Sequence, residues 1–420
     1  MQKYRALLAS LRIYWRHPVL RLSVVCVVIL IASLLPVQLT TAAPRASASQ
    51  QATRTPSPPR TPSPTSTPMP SESAPAIASL PAHYYIAPDG SDKNDGSEAS
   101  NPLQTIQHAL ELVQPGDTIQ LAPGDYLEAL TTMIDGLPDA PITVLGPPTA
   151  ILRGDGESGI AFEVNHNHYT LVGFTIDGLH GDPDETEGYT DKLLYAQGQT
   201  AQQGINGLKV LHMTLQNAGG ECMRLRYFAQ HNEVAYSTFR NCGRFDFALD
   251  GDGKNGEAIY IGTSSKQWAD GRNPTAEPDQ STQNWVHHNV IDTQGNECVD
   301  MKEGSHHNIV EYNTCTGQLD DESGGFGSRG NENIIRYNVA YGNVGAGVRL
   351  GGHKVDGIQY GRNNEVYGNR FYANKAGGLN IVEGPQKRIC GNVLDAKTKK
   401  PIFGDYGANS DYDPVAPCEG

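Results

Sequence analysis

From about residue 167, short strand-like segments repeat along the chain, each with apolar residues on either side of one turn position. Those turn positions are Phe174, Met213, Ser237, Asn289, Asn313, Asn338, Asn369 and Asn392. They lie 39, 24, 52, 24, 25, 31 and 23 residues apart, so the short steps share one period and the long steps add loops to it. A strand-rich period in the low twenties predicts a right-handed parallel β-helix, in which each repeat is one coil stacked on the coil before.

Asparagine fills the turn position in the last five of these coils. Asparagine tolerates left-handed backbone angles and bonds to neighbouring backbone groups. Identical amides stacked on one another also form hydrogen-bonded ladders, as they do in cross-β structures. We therefore predict that these asparagines form a structural ladder and have no catalytic role.

The first elements differ from the repeat and predict a cap. Tyr84 to Ala87 is a short predicted strand, and a helix is predicted from Asn101-Pro102 onwards. Its apolar residues fall at helical spacing, at Leu103, Ile106, Ala109, Leu110 and Val113. Because such a helix would protect the open end of the stacked sheets, we predict an all-β domain over 81–420 with an N-terminal capping helix.

A second register carries most of the charged residues. The aligned segments are 221–226, 257–262, 297–302, 324–329 and 346–351. Residues in the same column of adjacent coils are neighbours about 4.8 Å apart. Glu221, Glu257 and Glu297 then share one column, while Arg226, Lys302 and Arg329 share another that is interrupted only by Gly262.

The acidic column, together with Asp300, predicts a metal site. Carboxylates gathered over three coils repel one another unless something neutralises them. A hard cation with oxygen ligands would do so, and Ca²⁺ is the expected ion in an exported protein. We assign Glu257, Glu297 and Asp300 as ligands, with Glu221 as a weaker fourth, and the alternative is a solvated face paired with Lys and Arg.

Lys302 is the candidate general base, because it lies between the acidic segment and Arg329. Positive neighbours lower the pKa of a lysine and carboxylates raise it, so the sequence leaves the direction open. Insertions at 180–205, 243–256 and 263–282 could wall a groove beside this face. Their aromatic residues, which could stack on sugar rings, are Tyr189, Tyr195, Phe245, Phe247 and Trp268.

These features resemble the pectin-lyase-like β-helix superfamily, and two of its lyase groups in particular. Glu257 with Glu297-Cys298-Val299-Asp300 resembles the acidic calcium-binding coils of the family nine pectate lyases. Glu297, Lys302 and Ser328-Arg329-Gly330 resemble the chondroitinase B and alginate lyase group. The segment from Gly347 to His353 is similar to the Gly-x-Arg-x-x-Gly stretch of that same group.

The resemblance implies β-elimination on a uronic-acid polysaccharide. Calcium would neutralise the substrate carboxylate and acidify the neighbouring proton, which Lys302 would abstract. Arg329 would hold the carboxylate or would itself be the base. Arg226, Arg349 and His353 would line neighbouring subsites. The alternatives are an epimerase, a glycoside hydrolase with Asp320-Asp321, and a non-catalytic carbohydrate-binding surface protein.

The N-terminal part of the chain predicts export. A basic leader and the apolar run from Leu22 to Leu35 indicate a signal peptide, or alternatively a signal anchor, over 1–43. The segment 44–80 is rich in Pro, Ser and Thr and is expected to be a linker or stalk. We therefore expect a monomer that is secreted or tethered to the outer face of the cell membrane.

The composition agrees with these expectations. The net charge of −14 argues against a nucleic-acid partner, which requires a basic surface. An acidic polysaccharide remains possible as a partner if basic residues are gathered locally. Six cysteines follow Cys26, and export permits disulfides. Cys390 and Cys418 could staple the C-terminal tail, whereas Cys222, Cys242, Cys298 and Cys315 either pair or are simply buried.

Overall fold

The computed structural model describes residues 81–249 and 251–419, which wind into a parallel β-helix with three long sheets. Strands are numbered β1 to β33 in chain order. Sheet 1 contains β1 (Tyr84–Ile86), β2 (Thr118–Leu121), β5 (Ile142–Leu145), β8 (Tyr169–Val172), β11 (Lys209–Leu211), β14 (Glu233–Ala235), β17 (Trp285–His287), β20 (Ile309–Glu311), β23 (Ile334–Arg336), β28 (Glu365–Tyr367) and β31 (Arg388–Cys390).

Each coil contributes one strand to each sheet in turn. Sheet 2 contains β3 (Gly124–Tyr126), β6 (Ala150–Leu152), β9 (Thr175–Asp177), β12 (Thr214–Gln216), β15 (Thr238–Arg240), β18 (Val290–Asp292), β21 (Thr314–Thr316), β24 (Val339–Tyr341), β29 (Arg370–Tyr372) and β32 (Val393–Leu394). Sheet 3 contains β4 (Leu130–Thr131), β7 (Ile160–Val164), β10 (Lys192–Gln197), β13 (Met223–Arg226), β16 (Ile259–Ile261), β19 (Val299–Met301), β22 (Gly324–Ser328), β25 (Ala346–Leu350), β30 (Gly377–Ile381) and β33 (Ile402–Phe403).

A few elements lie outside the three sheets. The α-helices are α1 (Ile106–Leu112) and α2 (Arg244–Phe247), and the 3₁₀ helices are Thr186–Gly188, Ser265–Gln267 and Gly407–Asn409. The strands β26 (Lys354–Val355) and β27 (Ile358–Gln359) form an antiparallel hairpin after β25. His353, which directly precedes this hairpin, lines the cavity described below.

The predicted capping helix is confirmed, although it begins at Ile106 rather than at the predicted Asn101-Pro102. Thr105 is its N-cap, and its hydroxyl accepts a hydrogen bond from the amide of His108. The buried face of α1 consists of Ile106, Ala109 and Leu110, which pack onto the apolar interior of the first coils. The helix thereby covers apolar side chains that the first coil would otherwise expose.

The predicted asparagine ladder is confirmed. Amide hydrogen bonds of 2.9–3.1 Å link Asn289, Asn313, Asn338, Asn369 and Asn392 in succession. A second ladder that the pattern did not reveal lies at the turn before sheet 1 and consists of Asn232, Asn284, Asn308, Asn333, Asn364 and Gln386. Its side-chain amides donate from one residue to the next, except at Asn333, whose backbone amide donates to Asn364 Oδ1. These amides satisfy backbone groups that the interior of a coil would otherwise leave without partners.

The left-handed backbone conformation predicted for the turn asparagines belongs instead to a neighbouring residue. The left-handed residue is the one before each amide, as at Tyr312 (φ 55°) and Tyr337 (φ 56°). The amide itself points inward to the ladder, while the preceding side chain points outward. The outward rings stack, with centroids 5.2 Å apart between these two tyrosines.

Replacing Asn313 by Ala is expected to lower the free energy of unfolding by about 2–3 kcal/mol, because several buried groups lose a partner together. Its amide nitrogen donates to Val286 O (2.9 Å), and its oxygen accepts from the Asn289 amide (3.0 Å). Urea unfolding of the full chain measures the loss. The exposed Asn409, changed to Ala, should alter stability by less than about 0.5 kcal/mol. Equal effects of the two changes would contradict a stabilising ladder.

Three disulfides cross-link the described residues. Cys222–Cys242 and Cys298–Cys315 join sheet 3 to sheet 2 through the interior of a coil. The third, Cys390–Cys418, staples the C-terminal tail as the sequence suggested. Because Cys298 directly follows Glu297, the second disulfide fixes the coil that carries the acidic segment.

The signal segment 1–43 and the linker 44–80 lie outside the described residues, and their assignments stay predictions. None of the helices in the described part of the chain has the length and apolar character that crossing a bilayer requires.

Candidate active site

Sheet 3 has the register that the sequence predicted. Met223 pairs with Ile259, Ile259 with Val299, and Val299 with Phe326, in adjacent parallel strands. These apolar residues point into the core, so the residues between them point outward. The outward positions of the middle coils are Arg224, Arg226, Tyr260, Asp300, Lys302, Arg329 and Arg349.

Three predicted ligands converge beneath this face. Glu257, Glu297 and Asp300 each place one carboxylate oxygen within 4.8 Å of the others. Glu297 and Asp300 are 0% exposed and Glu257 is 3% exposed, so the cluster is buried rather than a solvated face. We call these three residues the acidic trio.

Lys302 lies between two members of the acidic trio. Its Nζ is 2.7 Å from Glu257 Oε1 and 2.6 Å from Asp300 Oδ2, and it is also 4.2 Å from the centre of the Tyr260 ring. Burial alone would lower the pKa of Lys302, but the charges of Asp300 and Glu257 outweigh burial and raise it. The direction that the sequence left open is therefore upward, and the ammonium is held in its charged form.

Arg329 approaches the acidic trio from the next coil. Its Nε is 3.4 Å from Asp300 Oδ2, and its Nη2 is 3.8 Å from Glu297 Oε1. Two cations therefore face three carboxylates. Burial, and after it the negative charge of Asp300, raises the pKa of Glu297 to about 7. The acidic trio is thus incompletely neutralised by its own neighbours.

The acidic trio fits a calcium ion in its donor chemistry. All three ligands are carboxylates, which Ca²⁺ prefers. Glu297 Oε2 and Asp300 Oδ1 are buried and accept no hydrogen bond from any described residue. Such unsatisfied oxygens require an explanation in a folded protein. An ion there would share the carboxylates of Glu257 and Asp300 with Lys302 or displace its ammonium.

The structure places Glu221 apart from the acidic trio. Its carboxylate pairs with Lys192 and with Arg224, each at 3.3 Å. Burial would raise the pKa of Glu221, but these two cations reverse that effect and lower it. Glu221 therefore has cationic partners of its own, and it is not one of the three carboxylates whose oxygens lie within 4.8 Å of one another.

Arg226 does not reach the site. Its side chain is 0% exposed and bonds to Asn273 (2.6 Å) and Tyr195 (3.2 Å), with Asp270 3.2 Å away. The loop 263–282 folds over it and is held by Asp279, which accepts from the backbone amides of the coil below. The sequence assigned Arg226 to a substrate subsite, whereas in the structure it anchors this loop.

A cavity of about 560 Å³ lies over the acidic trio. Its lining contains Glu221, Glu257, Lys302, Arg329, Arg349 and His353 among the predicted residues. Arg349 has no carboxylate within 4.0 Å among the residues that the structure describes, and its Nη1 donates to the Gly351 carbonyl (2.7 Å). Burial, and after it the neighbouring charge of Arg329, lowers the pKa of Arg349. The cavity therefore combines a buried acidic cluster with a guanidinium that has no carboxylate partner among the described residues.

Sequence reasoning missed two residues of the site. Tyr260 lies between Arg224 and Asp300 in the outward column and also lines the cavity. Its position in the register was a usable signal. Glu303 directly follows Lys302 and is 0% exposed, with Oε1 2.7 Å from Nδ1 of His353. No spacing in the sequence indicates that contact, because 50 residues separate the two.

Most of the loop aromatics are not available to stack on sugars. Tyr189, Tyr195 and Trp268 are 6–7% exposed and pack within the protein. The indole of Trp268, for example, donates to the Thr263 carbonyl (2.9 Å). These rings hold the loops in place, so polar groups dominate the cavity surface.

Comparisons with known proteins agree with this architecture. A family model described as "Protein of unknown function (DUF1565)" matches residues 88–139, and no curated protein matches the chain. The structure of alginate lyase from Paenibacillus sp. str. FPU-7 is similar, with 21% identity over 71% of this chain and 94% of that chain, at a TM-score of 0.57. A rhamnogalacturonan lyase structure is also similar, with 14% identity over 76% of this chain and 84% of that chain, at a TM-score of 0.53.

At identities this low, the structural similarity establishes the fold but not the activity. The three parallel sheets, the stacked coils and the capping helix agree with the fold predicted from the repeat. The chain therefore has a right-handed parallel β-helix fold, which it shares with these two structures.

Proposed function

We propose that the protein is a secreted polysaccharide lyase that cleaves a uronic-acid polymer by calcium-assisted β-elimination. The observation that carries this proposal is the cavity in which the acidic trio lies beside Arg329 and Arg349. A uronate has a carboxylate next to the carbon that loses a proton. An acidic metal site and guanidinium groups in one cavity are the chemical groups that such a carboxylate requires.

The acidic trio would supply three oxygen ligands for a calcium ion. When bound, the ion would neutralise the substrate carboxylate and make the adjacent proton more acidic. Lys302 bridges two of the trio's members and keeps them together across two coils. The same ammonium is also placed to stabilise negative charge that develops on the substrate.

Arg349 is the residue best placed to bind the substrate carboxylate. A guanidinium in a cavity without a carboxylate partner is a site for a ligand anion. Arg329 shares its charge with Asp300 and Glu297, so it has less to offer an incoming anion. These local cations explain how a chain with a net charge of −14 could hold a polyanion.

The test is to incubate the full chain separately with polygalacturonate, alginate, dermatan sulfate and a neutral glucan, each with Ca²⁺ and with a chelator. We expect ultraviolet absorbance from an unsaturated product with at least one uronate polymer, loss of that signal with the chelator, and no signal with the glucan. New reducing ends without absorbance would mean hydrolysis. A changed sugar configuration without cleavage would mean epimerisation. Binding without turnover would favour a non-catalytic carbohydrate-binding protein. Each of these three results would overturn the lyase proposal.

A further inference from the structure

His353 stands at the edge of the cavity, on the segment that leads from β25 into the hairpin of β26 and β27. Its side chain is 47% exposed, whereas its partner Glu303 is 0% exposed. Oε1 of Glu303 is 2.7 Å from Nδ1 of His353 and 3.2 Å from the backbone amide of the same residue. A single buried carboxylate therefore fixes both the main chain and the ring of this histidine.

The local backbone is built for this contact. Gly351 has a φ of 135°, which is strained for any residue with a side chain. A Cβ at Gly352 would collide with the carbonyl oxygen of Arg329. Two hydrogen bonds from the hairpin hold this segment in place. The amide of Tyr360 donates to the His353 carbonyl (3.2 Å), and Gln359 Nε2 donates to Gly352 O (2.8 Å). The position of His353 is therefore well determined although its ring reaches solvent.

The contact with Glu303 also determines the tautomer of His353. An ionised carboxylate only accepts hydrogen bonds, so Nδ1 must carry the proton. Burial would raise the pKa of Glu303, but the charge of Arg329 and hydrogen bonds outweigh burial and lower it, which keeps this carboxylate ionised. Nε2 of the neutral imidazole then presents a lone pair, and no described residue bonds to it.

We propose that His353 is the base that abstracts the substrate proton and that Glu303 is its positioning residue, an assignment that rests on the lyase function proposed above. Lys302 and Arg329, the bases expected from the sequence, are both engaged by carboxylates of the acidic trio. The lone pair of His353 is engaged by nothing in the described residues. A base held by a buried carboxylate is a recurring arrangement for proton transfer.

The proposed step is balanced in atoms and electrons. Nε2 of His353 takes the proton from the carbon next to the substrate carboxylate, and that carbon–hydrogen electron pair becomes the new double bond. The bond from the adjacent carbon to the glycosidic oxygen breaks and leaves its electrons on oxygen. The imidazolium then returns its proton to that oxygen through one water molecule, so the neutral imidazole is regenerated.

The test compares the full chain with its His353→Gln, Glu303→Gln and His307→Gln variants on alginate, on polygalacturonate and on dermatan sulfate. His307 is a matched control, because it also pairs with a glutamate (Glu332, 3.2 Å) but lies outside the cavity lining. We expect His353→Gln to lower kcat about 100-fold with a small change in KM, because the variant loses the proton acceptor but keeps the groups that bind the substrate. Glu303→Gln should lower kcat about 10-fold, also with a small change in KM, because the imidazole loses the carboxylate that orients it. His307→Gln should behave as the wild type does.

The outcomes separate this assignment from the proposed function. A wild-type chain that turns over none of the three polymers overturns both. An active wild type whose His353→Gln variant keeps its kcat overturns only the role of His353. A Glu303→Gln variant that keeps the wild-type kcat, or that loses activity through KM rather than kcat, overturns the positioning role of Glu303. Thermal melting of each variant measures folding independently, since His353 is half exposed and its replacement removes little buried contact.

Discussion

The full chain with Lys302→Met is expected to lose about 3–5 kcal/mol of folding free energy, because a buried charge network loses its central cation. The ammonium contacts two members of the acidic trio at 2.7 and 2.6 Å, and Lys302 itself is 4% exposed. Without it, Arg329 alone faces three buried carboxylates. Urea or thermal unfolding without calcium, in the presence of a chelator, measures this loss.

The matched control for Lys302 is Lys254→Met. Lys254 lines the same cavity, but it pairs at 3.3 Å with Glu322, and both side chains are more than half exposed. Exposed pairs contribute about 0–1 kcal/mol, so this variant should unfold almost as the wild type does. If both lysine variants lost the same stability, the acidic trio would not depend on Lys302.

Calcium supplies a second arm to this experiment, with a readout that requires no substrate. If the acidic trio binds the ion, calcium should stabilise the wild type against unfolding, because a ligand that binds only the folded state raises stability. Calcium should stabilise the Lys302→Met variant more than the wild type, since no ammonium then competes for the carboxylates of Glu257 and Asp300. A Glu297→Gln variant should lose most of this response. An absence of any calcium response in all three proteins would contradict the proposed metal site.

Arg349→Ala is expected to lower kcat/KM on the cleaved polymer about 100- to 1000-fold while leaving stability nearly unchanged. Its guanidinium contacts no carboxylate within 4.0 Å among the described residues, so the fold loses no ion pair with it. The loss of rate would come from the substrate carboxylate and from the charge that develops on it during elimination. Steady-state kinetics on the polymer, together with thermal melting, separate the two effects.

Two further variants sharpen the experiment on Arg349. Arg349→Lys keeps the charge but loses the two-pronged geometry, so it should recover part of the activity and fall short of the wild type. Arg362→Ala removes an arginine that lies outside the cavity lining and pairs with Glu383 at 2.9 Å, and it should keep full activity. An Arg349→Ala variant with wild-type kcat/KM would exclude this residue from carboxylate binding.

The sequence predicts the scaffold well because each coil repeats the same local solution. The amide positions gave the period, and the alternation of apolar residues gave the register of sheet 3, which the structure reproduces pair by pair. Stacking of adjacent coils then places Glu257 close to Asp300, so this proximity follows from the alignment alone. Parallel in-register coils turn a one-dimensional alignment into spatial neighbours.

The contacts that the sequence did not predict depend on segments outside the repeat. Arg226 shares its column with Lys302, yet a loop folds over it and engages it through Asn273 and Asp270. His353 contacts Glu303 from the segment that joins β25 to the hairpin of β26 and β27. Neither contact follows from the period. The pairing of Lys302 likewise depends on where a long side chain is buried, which a column position does not specify.

The ladder continues across the largest insertion as if no residues had been added. The amide of Ser237 donates to Asn289 Oδ1 at 3.0 Å, although 52 residues separate the two positions. Loops that leave the corners of the coils can therefore lengthen at a closure cost that grows only slowly with their size. If the cavity binds a polymer as proposed above, exchanging the loop 263–282, which contributes Lys266 to the cavity lining, is expected to change which polymer is recognised while the scaffold keeps its register. In evolutionary terms, substrate choice and foldability would then be inherited through separate parts of the chain.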